Sequence, residues 1–127
     1  MKGILVAGAA AFAAGTPAYA VGACEKPVAV SIPPDAPDMS LNQFRQVRQE
    51  GDRFLSQARD YLTCLNEIIY SSAPEDPLVS KAGKAHEEYA AEWAPVWGEL
   101  NLACRNWEAA HGSQFPGGCQ PMNPAEG

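Results

Sequence analysis

The sequence predicts an all-α fold: an antiparallel two-helix hairpin, stapled by disulfides, with an extended N-terminal arm and an irregular C-terminal tail. Three observations predict it. Apolar residues recur at steps of three and four from Phe44 to Ile68, and again from Leu78 to Ala110. The turn-forming run Ser71-Ser72-Ala73-Pro74 separates the two stretches. Four cysteines, Cys24, Cys64, Cys104 and Cys119, follow a segment patterned like a secretion signal.

Residues 1–20 carry that pattern. Lys2 gives a positive start, Ile4 to Ala14 are apolar and uncharged, and Ala18 and Ala20 are small residues at the −3 and −1 positions of a cut after Ala20. The apolar stretch is shorter than the ~20 residues a membrane span needs. No later segment is apolar enough to be one, so no membrane span is expected. Removing the signal, whose one charged residue is Lys2, takes the net charge from −6 to −7. An acidic chain disfavours nucleic acid and anionic lipid surfaces as partners. Val21-Gly22-Ala23-Cys24 also has the form of a lipobox, which would make Cys24 an acylated N-terminus. That alternative leaves three cysteines, and an odd thiol is a liability in an oxidising compartment.

Residues 21–39 read as an extended arm. Pro27, Pro33, Pro34 and Pro37 remove helical donors and bias their predecessors toward extended backbone. Val28, Val30 and Ile32 alternate with other residues, as in a segment packed on one face.

The hairpin is expected over residues 40–111. Ser40 and Gln43 form a capping box sequence at the start of the first helix. Its seam reads Phe44, Val47, Gly51, Phe54, Ala58, Tyr61, Leu65, Ile68, an unbroken heptad spacing that packs lengthwise on a partner. Gly in a helix costs about 1 kcal/mol against Ala, so Gly51 predicts close packing from the other helix. The second helix begins at Asp76-Pro77, where Pro is tolerated in the first turn. Its seam reads Leu78, Ala82, Ala85, Tyr89, Trp93, Val96, Leu100, Ala103, Trp107, Ala110. Pro95 removes a hydrogen bond and crowds the preceding turn, so a kink or a full break is expected there. Gly112 ends the helix. In this register Arg59 comes near Glu88 and Glu92, and Arg53 near Glu99, as flanking ion pairs. Residues 112–127 read as a Gly/Pro-rich tail pinned by Cys119 and Phe115.

Length arithmetic constrains the disulfides. In a straight hairpin Cys64 and Cys104 stand ~30 Å apart at ~1.5 Å per residue, against the ~7 Å a disulfide allows between Cα atoms. Only a full break at Pro95 would bring them level. An extended arm at ~3.1 Å per residue spans the ~36 Å from Ser40 back to Cys64. The tail can fold over the last helical turns. The expected pairs are therefore Cys24–Cys64 and Cys104–Cys119.

Cys24-Glu25-Lys26-Pro27, Ile32-Pro33 with Asp35, and Tyr61-Leu62-Thr63-Cys64-Leu65 resemble a group of small, exported, uncharacterised proteobacterial proteins with a Cys-x-x-Pro arm and a Tyr-Leu-x-Cys-Leu helix. The resemblance covers about residues 24–70. It implies a helical hairpin with Cys24 paired to Cys64, and it brings no activity with it.

Catalytic chemistry is not visible. There is no Gly-x-Ser-x-Gly turn, no Cys-x-x-Cys, and no thiol is left over if the cysteines pair. No metal site is expected either: His86 has no second His four residues on, and Glu87, Glu88 and Glu92 read as a solvated face. No cofactor is implied. The ambiguous feature is aromatic. Tyr89, Trp93 and Trp97 step by four, which drifts around a helix, so Trp97 leaves the seam. It either covers the arm or the kink, or forms with Tyr89 and Trp93 a patch that docks a partner. The expected function is a non-catalytic, periplasmic or secreted interaction module. It would bind a protein partner as an accessory subunit of an envelope complex, or associate with itself. The alternative is a small-ligand or metal-binding protein using the groove near Tyr89, Trp93, Trp97 and His86.

Overall fold

The computed structural model describes residues 20–126. The signal expected over residues 1–20 lies outside them, except for Ala20. Two short strands, β1 (Ala20–Val21) and β2 (Cys24–Glu25), pair antiparallel around Gly22, whose φ of 60° suits a tight reversal. The arm then runs without regular secondary structure to a 3₁₀ turn at Ala36–Asp38. Helix α1 spans Leu41–Ser71 and helix α2 spans Pro77–His111, packed together as an antiparallel hairpin.

The ends of both helices follow from local chemistry. The Gln43 N–H donates to Ser40 Oγ at 3.2 Å, and the Ser40 N–H donates to Gln43 Oε1 at 3.1 Å. Two otherwise orphaned donors are thereby satisfied. Asp76 Oδ1 accepts from the Leu78 N–H at 2.9 Å, and Pro77 occupies the first helical position. Gly112, at φ 93°, ends α2, its N–H donating to the Glu108 carbonyl at 2.7 Å.

The seam on α1 buries Phe44, Gly51, Phe54, Ala58, Tyr61 and Leu65, with Leu55 and Leu62 widening it. On α2 it buries Ala82, Tyr89, Val96, Leu100, Ala103 and Trp107; Ala110 is exposed, so that seam stops one turn earlier than its spacing indicates. Gly51 meets the close approach expected of it: a Cβ placed there would lie 2.7 Å from Leu100 Cδ2.

Helix α2 continues through Pro95. A full break is ruled out. Pro95 and Ala91, whose carbonyl loses its partner, are both exposed, so water can reach the freed acceptor. The disulfides are Cys24–Cys64 and Cys104–Cys119, with Cα separations of 5.6 and 5.5 Å. No cysteine among the described residues is free.

Arm and tail lie on opposite flanks of the hairpin. Successive helical residues turn by about 100°, so residues two apart stand about 200° apart. On α1, Gln57 faces the arm and Arg59 faces the tail; on α2, Glu99 faces the arm and Trp97 the tail. This geometry corrects the expected ion pairs. Arg59 turns to the tail, where Nη1 reaches Met122 Sδ at 3.4 Å and Nε lies 3.8 Å from Asp60. Glu92 turns to the arm and pairs with Lys26. No Arg53–Glu99 pair forms among the described residues.

The tail is also more ordered than its composition indicates. Besides Cys119 and Phe115, it seats buried Pro121 and Pro124 and closes in a 3₁₀ turn at Pro124–Glu126. Arg48 fastens its start, lying 4.6 Å over the Phe115 ring and donating to the Gly118 carbonyl at 3.3 Å.

Candidate functional site

The expected aromatic residues are divided among different roles. Tyr89 is buried, 2% exposed, and meets Tyr61 edge-on with ring centroids 4.8 Å apart. Trp93 is half-buried and bridges the turn-end core to the middle of the hairpin. Trp97 is half-buried and donates from Nε1 to the Pro121 carbonyl at 3.1 Å. It thereby holds the tail, and it packs against the same mid-hairpin core as Val30 and Ile32 of the arm. Among the described residues, the large apolar side chains that do stand in solvent are Val28 (86% exposed), Tyr70 (83%) and Leu102 (58%). Val28 therefore leaves the packed face that its alternation with Val30 and Ile32 predicts, while those two are half-buried; Tyr70 and Leu102 carried no expectation. The one available signal for Tyr70 and Leu102 was their place off the seams.

The richest polar cluster sits on the arm flank beside Cys24–Cys64. Lys26 Nζ meets Glu92 Oε2 at 2.9 Å. Tyr61 comes from α1, while Glu88, Tyr89 and Glu92 come from α2 at positions that heptad spacing brings to one edge of the seam. These groups, with Val21 and Ala85, enclose a cavity of about 170 Å³. An open depression of about 500 Å³ adjoins it, sharing Lys26 and Tyr61 and reaching along residues 23–28. Burial pushes the Tyr61 phenol above its ordinary range; Lys26 opposes this and Glu92 adds to it. Burial pushes Tyr89 further up, with Glu92 and Tyr61 adding to the shift. Both phenols therefore stay protonated at neutral pH. The Tyr89 hydroxyl is buried without a hydrogen-bond partner, an arrangement that carries a desolvation cost of about 1–3 kcal/mol.

Sequence reading did not single out Lys26 or Tyr61. One lies on the arm and the other in a seam, and only the fold joins them. His86 is half-buried and lines neither of these two hollows.

A third hollow on the arm flank holds about 330 Å³ between Pro33, Pro34 and Pro37 of the arm and Glu99, Leu102 and Asn106 of α2. Prolines wall it because the arm can follow the helix only in extended form.

At the other end of the hairpin, Cys104, Glu108 and Cys119 bring potential metal-ligand atoms within 4.8 Å of one another. Both sulfurs are consumed in the disulfide, so neither is a thiolate able to bind a metal. For the same reason the 3.3 Å approach of Cys119 Sγ to Glu108 Oε1 is a contact and not a hydrogen bond, since that sulfur carries no proton. Glu108 instead accepts from Ser113 Oγ at 3.4 Å and from the Gln114 N–H at 3.2 Å, securing the start of the tail. No helix among the described residues is long and apolar enough to cross a membrane. Comparison with known proteins found no family model, no curated protein and no solved structure that matches the chain.

Proposed function

We propose that this protein is an exported, non-catalytic interaction module whose arm flank docks a protein partner, either an envelope-complex subunit or a second copy. The observation that carries this reading is Leu102: a large apolar side chain, 58% exposed, at the rim of the proline-walled hollow. Val28, still more exposed, lies on the same arm. Exposed apolar groups around a concavity are the anatomy of a docking surface. Two disulfides and no free thiol among the described residues fit an oxidising compartment and leave no sulfur nucleophile. The resemblance to small exported proteins points the same way.

The test compares wild type with Leu102→Asp, by cross-linking in envelope extracts and by sedimentation. The expected outcome is a discrete partner or dimer with wild type that disappears in the variant at unchanged melting temperature. Equal recovery by both proteins sinks the reading, as does a wild type that is monomeric and captures nothing.

The adjoining hollows that share Lys26 and Tyr61 favour a second reading, a small polar ligand held on the arm flank. Protection of Lys26 from amine-reactive reagent by a periplasmic small-molecule extract supports it, and unaltered labelling rejects it.

A further inference from the structure

The 170 Å³ cavity combines three features that a neutral packing gap does not need. Its wall includes the buried Tyr89, whose hydroxyl has no partner. The charged groups facing it are Lys26 from the arm and Glu88 and Glu92 from α2, and the titratable phenols are Tyr61 from α1 and Tyr89 from α2. Lys26 is already matched to Glu92, so one negative charge is left over. The remaining wall includes Val21, the residue that follows the small-residue cut pattern ending at Ala20.

We propose that hydrolysis of the Ala20–Val21 bond gives Val21 an α-ammonium group that seats in this cavity, against the Glu88 carboxylate and the Tyr89 hydroxyl oxygen. In that step water adds across the peptide bond under a signal-processing protease; Ala20 takes the carboxylate, and the Val21 amine takes a proton at neutral pH. The bond lies in β1, so it is cut while the chain is still extended, before the hairpin closes. The cut removes the Ala20–Glu25 pairing and leaves Val21 opposite Cys24. A freed terminus therefore stays anchored beside the cavity by the Gly22 turn and the Cys24–Cys64 bond. The ammonium neutralises the excess charge and supplies the donor that the buried hydroxyl lacks. Maturation thus completes the turn-end core.

The inference rests on the export reading, and the experiment separates the two. The intact mass of the exported protein reports its first residue. Chains beginning at Val21 and at Ala20 are then each released from a cleavable fusion before oxidative folding, folded with both disulfides, and melted across pH. The seated ammonium is stabilised, so its pKa rises above the ordinary ~8 of an α-amine. The stability it adds is present below that value and is lost as pH rises through the folded pKa.

The expected result is a mass starting at Val21 and a Val21 chain melting about 4 °C higher than the Ala20 chain at pH 6. The gap should close above about pH 10 and in Glu88→Gln. A mass starting elsewhere overturns the cut and the inference together. A mass starting at Val21 with equal melting of the two chains at pH 6 overturns the seated ammonium alone. A Val21 amine that titrates at or below about 8 by NMR does the same.

Discussion

The two ends of the hairpin are closed by different means. At the turn end, Cys24–Cys64 closes a separation of 40 residues, and the core beneath it includes a polar cluster with a cavity. At the open end, Cys104–Cys119 closes a separation of only 15 residues, and the core is an aromatic stack. Phe44 lies parallel to Trp107 at 5.7 Å, His111 stacks on Trp107 at 4.2 Å, and Phe115 tilts against Phe44 and Trp107. Trp107 also donates from Nε1 to the Met39 carbonyl at 2.9 Å, tying the arm into the same cluster. The turn end thus relies on a long covalent loop, and the open end on dense packing around one indole.

Trp107→Ala should break the comparison most sharply. It removes the centre of the stack and the Met39 bond, at a cost of about 3–5 kcal/mol. Hydrogen exchange should speed up first in residues 36–47 and 100–111. Equal acceleration at Cys64 would show that the two ends melt as one.

The staples come next. Replacing Cys24 and Cys64 together by Ala should cost about 4 kcal/mol, and replacing Cys104 and Cys119 about 3, by the loop-length estimate. Denaturant unfolding of the two double variants checks the order. A larger loss from the shorter loop would mean that Cys119 matters chiefly for seating Phe115 in the stack.

The smallest effect lies between the two ends, where Gly51 faces Leu100. Gly→Ala in a helix ordinarily gains about 1 kcal/mol. Leu100 is buried and its Cδ2 would stand 2.7 Å from the new carbon, so Gly51→Ala should gain nothing by thermal unfolding. A full 1 kcal/mol gain would show that Leu100 has room to turn aside.

Much of the fold was legible because it depends on periodicity and local caps. Ser40 with Gln43, Asp76-Pro77 and Gly112 set the helix ends through bonds within a few residues of themselves. The heptad spacing from Phe44 onward set the packing face, and chain length alone excluded Cys64–Cys104 in a straight hairpin. Spacing does not decide the course of α2 at Pro95, because the outcome turns on solvent access to the Ala91 carbonyl. The tail was underestimated because single long-range contacts hold it, such as Trp97 to Pro121 and Arg48 to Gly118. The arm-flank cluster was illegible for a related reason. Lys26 and Glu92 are 66 residues apart, and which flank each faces depends on how the arm passes α1.

The disulfides join first to second and third to fourth cysteine along the chain. A chain delivered N-terminus first presents Cys24 and Cys64 to oxidant before Cys104 has emerged. The native partner is then also the earliest available one, and the same holds for Cys104 and Cys119 once the first pair is closed. In such delivery the order of emergence by itself favours the observed pairing. Refolding the full-length reduced chain, in which all four thiols compete at once, is where scrambled bridges should accumulate.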